Sequence, residues 1–215
     1  MVATDTNTPR ERYRAQVRTE IKDRAWEQIA TAGASALSLN AIAKQMGMSG
    51  PALYRYFAGR DELITELIRD AYRSLADTCR AASESGADVA ALAHVLRRWA
   101  LDDPHRYFLI YGTPVPGYHA PDDITAIAAE IMTTLLDAWT TLPSDAPPTT
   151  FETYLEGHRP WADDHPAPPA ALRRALAFWT RLHGVLSLEL AGHFTGMGFD
   201  PALLFEAELD DLPAR

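Results

Sequence analysis

Ser49, Tyr54, Arg55, Tyr56 and Arg60 set three hydroxyls and two guanidinium groups within one short segment. Hydroxyl and guanidinium donors are the groups that hold phosphate oxygens, and Arg14 and Ser38, further upstream, add one of each. Arg55, Pro51 and Ala52 are the residues of this segment nearest to any base edge; the small apolar surfaces suit a thymine methyl, and Gly50 beside them offers no side chain for readout. A second set is aromatic: Trp99, Tyr107, Phe108, Tyr111, Trp139, Phe178 and Trp179, with His183 on the same stretch as the last two. Rings so spaced suit one cavity for a small apolar or aromatic molecule, and equally suit a packed core, so both readings stay open. His183 orients such a molecule or hydrogen-bonds within the core.

The phosphate-type donors need a rigid support, and residues 38–57 supply the pattern for one. Leu39, Ile42, Ala43 and Met46 fall at i, i+3, i+4 and i+7, one face of a short helix that Ser38 caps. Gly47 ends that helix, Ser49 is expected to cap the next, and Pro51 is harmless near its start. Leu53 and Phe57 turn inward, which leaves Gly50, Pro51, Tyr54 and Arg55 outside. The pattern is a helix-turn-helix; a hairpin that merely builds core is the bland alternative.

The preceding helix carries Val17, Ile21, Ala25 and Ile29 at i+4 intervals and closes at Gly33, with Arg10, Arg12, Arg14 and Arg18 as a basic arm. A further helix from Arg60 to about Ala82 presents Leu63, Leu67, Ala71 and Leu75 on one face. Beyond Gly86 apolar periodicity continues near 87–101, 104–112, 122–141 and 168–194, and alternating β-branched runs are absent, so the fold is expected to be all-α. Proline-rich connections fall at 113–121, 143–148 and 160–169, the last read as a partly mobile loop.

Charge divides the chain of 215 residues. Residues 1–60 carry nine Lys and Arg against five Asp and Glu, a balance of +4, whereas the remainder is at −13 within a total of −9. The positive field is local to the helix-turn-helix, and the acidic remainder repels nucleic acid. The expected organisation is a disordered tail over 1–9, a DNA-binding domain over 10–60 and a larger helical domain over 61–215.

Ser49, Leu53, Tyr54, Tyr56, Phe57 and Arg60, after the lead-in Leu39 to Met48, resemble the DNA-binding signature of the TetR-like transcriptional regulators across most of residues 10–65. Two positions depart from the family's habit: Gly50 replaces a polar or basic side chain, and Arg60 a lysine. Trp179, His183 and Gly184, with Asp103-Pro104-His105-Arg106-Tyr107 ahead of Gly112 and Pro114, are similar to the WHG class of C-terminal domains over roughly 85–205. The resemblance implies a regulator, commonly a repressor, that binds a palindromic duplex operator as a homodimer. Dimerisation would run through the 168–194 helix and the C-terminal helix, and a small effector would bind among the later helices.

Along 168–194 one stripe holds Leu172, Leu176, Trp179, His183, Leu186 and Leu190, and a second holds Ala175, Phe178, Leu182 and Val185. A helix apolar on two sides needs two partners: its own domain and a second subunit, or its own domain twice over in a monomer.

Other classes find little support. No Gly-x-Ser-x-Gly elbow, His-Glu-x-x-His pair or phosphate loop occurs, so an enzyme is not expected and no cofactor is implied. Asp163-Asp164-His165 lacks a partnered ligand pair for a metal. Gly192, Gly196 and Gly198 lack the strand context of a dinucleotide loop. A helical adaptor that uses the helix-turn-helix surface against protein is the remaining alternative. With a single cysteine, Cys79, no intrachain disulfide forms, and neither a signal-peptide stretch nor an apolar run of membrane length is present, so the cytoplasm is the expected compartment.

Overall fold

The computed structural model describes residues 8–113, 118–142, 147–162 and 164–212. Among them the chain is helical without strands, in ten α-helices and two 3-10 turns. It divides into two compact units, one from residues up to Asp70 together with the 113–119 connection, the other from Ala71–Gly112 and Ala120 onward.

In the first unit, α1 spans Pro9–Ala32, α2 Leu39–Gln45 and α3 Gly50–Leu53, and α4 begins at Arg60. Of the range expected as a tail, Pro9 is the first residue of α1, where a proline lacks nothing, and Thr8 forms a reciprocal capping box with Glu11. Residues 1–7 lie outside the described residues. Val17, Ile21, Ala25 and Ile29 are buried, as their spacing requires, and so are Leu37, Leu39, Ile42, Leu53, Phe57 and Leu63. Gly47 stands at φ +64°, with its own N–H on the Lys44 carbonyl (3.2 Å) and that of Met48 on Ala43 (2.8 Å). That pair of bonds closes the carbonyl end of α2 and turns the chain sharply into α3, a geometry that any side chain at 47 would strain.

In the second unit α4 continues to Glu84, followed by α5 (Val89–Asp102), α6 (Pro104–Tyr111), α7 (Asp122–Thr140), α8 (Thr150–Glu156), α9 (Pro169–Leu190) and α10 (Pro201–Asp210). The central helix α9 packs against α5, α7, α8 and α10. Leu172 and Leu186 of its first stripe and Ala175, Phe178, Leu182 and Val185 of its second are all buried within one chain. α5, α7, α8 and α10 thus cover the second stripe and part of the first, while Leu176, Trp179, His183 and Leu190 of the first stripe remain half-buried. Arg97 of α5 grips Glu189 of α9 with two bonds, at 2.7 and 2.9 Å, and lies over the ring of Phe205, which pins α10 to the pair. Only 12% and 16% of those two side chains is exposed, so this ion pair is better shielded from salt than its surface counterparts.

Two connections differ from expectation. Residues 149–156 fold into the short helix α8, started by a capping box between Thr149 and Glu152, whose carboxylate also accepts from Arg173 (2.7 Å). The loop read as partly mobile is pinned: Arg159 donates to the carbonyls of His165 (2.7 Å) and Ala167 (3.0 Å), and His165 Nε2 sits 3.1 Å from Asp137. His165 is thus occupied structurally, and no cluster of metal-binding side chains occurs among the described residues. Asp163, residues 114–117 and residues 143–146, which carry parts of the three proline-rich connections, lie outside the described residues. Cys79 is buried, and burial pushes its thiol up to about 11, which leaves it a packing residue with no thiolate at neutral pH.

A polar junction ties α6 to α9. The Tyr107 hydroxyl lies 2.9 Å from His183 Nδ1 and 2.9 Å from the Ser187 hydroxyl, with the His183 carbonyl at 3.3 Å. Burial pushes the His183 imidazole down to about 4, so it is neutral in the native state. An unfolded chain accepts a proton at the ordinary value of 6.5, so stability held above pH 6.5 is lost as pH falls toward 4, by on the order of 3 kcal/mol. Urea unfolding at pH 7 and pH 4.5 is expected to show this loss in the native sequence and to show a smaller one in His183→Gln; equal losses would reject it.

Candidate functional site

The helix that carries Gly50 to Leu53 is one turn long, so its shape comes from what grips it. Leu53 and Phe57 are fully buried beneath it. From α1, Arg18 lays its guanidinium over the Phe57 ring at 4.2 Å, donates to the Tyr56 carbonyl and pairs with Glu66 of α4 at 3.5 Å. Arg14, one turn earlier, donates to the Arg55 carbonyl at 3.3 Å. Two residues of the basic arm therefore hold the end of α3 from behind. On the opposite flank Glu62 accepts from the Ala58 N–H, and Gln28 holds both the N–H (2.9 Å) and the carbonyl (3.5 Å) of Ser38.

What this frame leaves outward is a compact donor surface. Ser49, Pro51, Tyr54 and Arg55 are exposed, Tyr54 by 48%, while Gly50, Ala52 and Tyr56 are half-buried. Ser49 precedes α3 in extended conformation but makes no capping bond, contrary to expectation, and so keeps its hydroxyl for a ligand. Ser38 does cap, accepting from Ala41 at 3.3 Å, and retains its own O–H as a donor. A Cβ at Gly50 would meet only the Asn40 amide oxygen at 3.7 Å, an ordinary contact, so steric crowding does not demand glycine there.

Arg60 differs most from its assigned role. Its guanidinium reaches the carbonyls of Ala34 (2.9 Å) and Ser35 (3.4 Å) and lies 3.7 Å from Asp61, clasping the start of α4 to the turn after α1. The structural duties of Arg18 and Arg60 were not visible in their spacing. Lys44, by contrast, is exposed in the last turn of α2 and adds a cation that only the charge count registered.

The aromatic set separates into parts. Tyr107, Phe108, Tyr111, Trp179 and His183 gather: Tyr111 lies 4.4 Å from the His183 ring, Trp179 4.3 Å from it, and Tyr107 meets Phe108 edge-on at 5.5 Å. The Tyr111 hydroxyl and His183 Nε2 are buried without hydrogen-bond partners, and burial first, then the neighbouring Tyr72, Cys79 and Tyr107, holds the Tyr111 hydroxyl well above the usual phenol range. Phe178 and Trp179 line a narrow apolar cavity of about 20 Å³ next to Cys79 and Leu135. Trp99 is tied to Ser74 by its indole N–H (3.1 Å), and Trp139 is fully buried beneath the guanidinium of Arg174, so these two are core. Gly184, expected at a close helix approach, is exposed with open space where a Cβ would stand.

Comparison with known proteins matches this geometry. The family model for bacterial regulatory proteins of the tetR family matches residues 21–67, and that for the tetracyclin repressor-like C-terminal domain matches residues 89–212. The chain is 36% identical over 211 residues to HTH-type transcriptional regulators of Mycobacterium bovis (Mb1846) and Mycobacterium tuberculosis (Rv1816), covering 91% of this chain and 90% of each relative. It is similar also to the crystal structure of a protein described as regulatory, SCO4313, at 74% identity and a TM-score of 0.89, covering 97% of this chain and 100% of that one. With a reading helix held from behind by Arg14 and Arg18 and family matches over both halves, the chain belongs to the tetR family of helix-turn-helix transcriptional regulators.

Proposed function

We propose that this regulator binds a palindromic duplex operator as a homodimer in the cytoplasm, that occupancy represses transcription, and that a small apolar or aromatic effector lowers operator affinity. The observation that carries the first part is the outward surface of Ser49, Pro51, Tyr54 and Arg55 on a turn of helix whose backbone is fixed by Arg14 and Arg18. Ser49, Tyr54, Tyr56 and Lys44 serve phosphates; Arg55, Pro51 and Ala52 face base edges, and with Gly50 bare, much of the specificity rests on DNA shape. Arg60 contributes chiefly by holding the frame. Catalysis and cofactors have no part in this reading. No described helix is long and apolar enough to cross a membrane.

The second subunit is supported by what remains uncovered once α9 is wrapped. Thr180, Gly184 and Leu188 are exposed at i, i+4 and i+8, with Met197, Phe199 and Leu203 exposed just beyond, Leu203 by 69%. A bare glycine with open space on an outward helix face admits close approach of another helix. Twofold pairing would present two reading heads to successive major-groove faces, about 34–36 Å apart or a multiple of that. The effector then works by preferring the conformation in which that spacing is wrong.

Selection of bound fragments from random duplexes is expected to return a palindrome. Against that palindrome, affinity should fall steeply with salt, whereas salt-insensitive binding or no enrichment would favour the adaptor reading. In anisotropy titrations Tyr54→Phe should weaken binding to all duplexes by roughly 3- to 10-fold, the cost of one hydrogen bond, while Arg55→Ala should reorder preference among operator variants. Identical losses across every variant for both substitutions would reject that division. Gly184→Arg and Leu203→Asp, each on an exposed position, should shift sedimentation equilibrium at micromolar concentration from dimer to monomer; dimers in both would reject the seam.

A further inference from the structure

The gathered rings around His183 contain an unsolved accounting of polar atoms. Tyr111 Oη and His183 Nε2 are buried and unpartnered, although the other nitrogen of the same imidazole is held by Tyr107 at 2.9 Å. Two such neighbours are uncommon in a packed interior, where nearly every buried donor or acceptor finds a partner. Their ring centroids are 4.4 Å apart, so the two orphan atoms belong to side chains in direct contact.

Trp179 covers this pair. Its ring lies 4.3 Å from His183 and meets Tyr111 edge-on at 5.6 Å. The same indole is a wall of two separate spaces: the narrow apolar cavity of about 20 Å³ beside Cys79, Leu96, Ile131 and Phe178, and an open cleft of about 660 Å³ beside Ala76, Ala129, Met132 and Trp161. The cleft has the volume of an ordinary small-molecule site, whereas the cavity alone has room for little more than a water. The charges at the cleft are already matched: Glu130 accepts two bonds from Arg73, at 2.7 and 2.9 Å, and Arg80 donates to Asp77 at 2.6 Å. The cleft lining therefore offers ring faces, alkyl groups and threonine hydroxyls, with no uncompensated charge for an ionic guest; Tyr111 and His183 do not line it, and Trp179 is the residue that touches both them and the cleft.

We propose that the effector is an uncharged aromatic molecule carrying one hydroxyl or carbonyl oxygen, that Trp179 turns aside to admit it from the cleft, and that its oxygen bonds Tyr111 Oη and His183 Nε2. The inference rests on the effector reading given above and specifies its chemistry. Recognition by orphan polar atoms is selective because an isostere without the oxygen leaves them unpaired in the bound state, whereas a charged analogue must leave water for a site without a counter-ion.

Three probes of one shape test it by titration calorimetry on the full chain: 2-naphthol, 2-methylnaphthalene and 2-naphthoate. The native protein is expected to bind 2-naphthol at least about tenfold more tightly than 2-methylnaphthalene, and 2-naphthoate not measurably. Tyr111→Phe, which removes an unpartnered hydroxyl and should fold normally, is expected to shrink that preference to about threefold or less. Trp179→Ala should speed 2-naphthol association in stopped-flow fluorescence. Equal binding of the first two probes, an unaltered preference in Tyr111→Phe, no binding of any probe, or an unchanged association rate in Trp179→Ala would each overturn the proposal. Operator release is read in parallel. If 2-naphthol binds as stated but leaves operator affinity unchanged, the site stands and the effector reading falls; if the probes fail while another small molecule releases operator, the effector reading stands and this site falls.

Discussion

One turn of helix has too few internal hydrogen bonds to hold its own form, and that constraint governs the DNA-reading unit. α3 cannot be a pre-formed rod; it is a short segment that ends at the buried anchor Leu53, followed by a second anchor, Phe57, and the carbonyls of Arg55 and Tyr56 between those anchors are claimed by arginines from another helix. Arg18 does three things with one guanidinium: it covers the Phe57 ring, takes the Tyr56 carbonyl and answers Glu66. A planar, fixed-charge group with five donors can serve a ring face and two oxygens together, which a lysine ammonium cannot. The outward orientation of Tyr54 and Arg55 is thus a consequence of α1, and the length of α1, from the Thr8 cap to Gly33, is what brings both arginines to the same end of α3.

The second unit meets a different constraint. α9 is apolar on two sides, and the chain answers by placing α5, α7, α8 and α10 around it, with the Arg97 to Glu189 pair fixing α5 against it and the ring of Phe205 beneath that arginine. Enclosing a helix so fully also encloses its polar residues. His183 can be tolerated only as a neutral ring, and its Nδ1 is satisfied by Tyr107 while Nε2 is not. The burial that orders the core therefore leaves polar capacity over beside Tyr111, as it also does at the Trp139 indole N–H and at Arg174 Nε.

Much of this architecture was legible in the residues. Periodicity located α1, α4, α5, α7 and α9, which carry apolar stripes over several turns, and also the two-turn helices α2 and α6, and Gly33 and Gly47 marked the ends of α1 and α2. α8 escaped: over 150–156 only Glu152 and Leu155 are buried, while Phe151 and Tyr154 point to solvent, so its apolar residues trace no stripe. The 160–169 loop was misread because proline content reports backbone restriction without reporting the side chains, Arg159 and His165, that fix it. Spacing along helices gave the gathering around His183, whereas Trp99 and Trp139 lie among different neighbours, Ser74 and Arg174, that spacing does not reveal.

The arginines show why a site is harder to read than a fold. Arg14, Arg18, Arg55 and Arg60 are equal as charges, and the local balance of +4 counts them alike. Their fates differ because guanidinium donors go to whichever oxygen tertiary packing brings within reach: carbonyls behind α3 for Arg14 and Arg18, the turn after α1 for Arg60, and solvent for Arg55. Arg55 points its donors outward, and Arg14, exposed and bonded at 3.3 Å to one carbonyl, keeps others for an external partner. A charge that is spent on internal carbonyls still contributes to the field that attracts a polyanion, since hydrogen bonding to a neutral oxygen does not cancel it. The positive potential of the reading head therefore includes arginines that bond only neutral oxygens, such as Arg14, and is offset where Arg18 and Arg60 lie against Glu66 and Asp61, while its chemical discrimination is the work of very few.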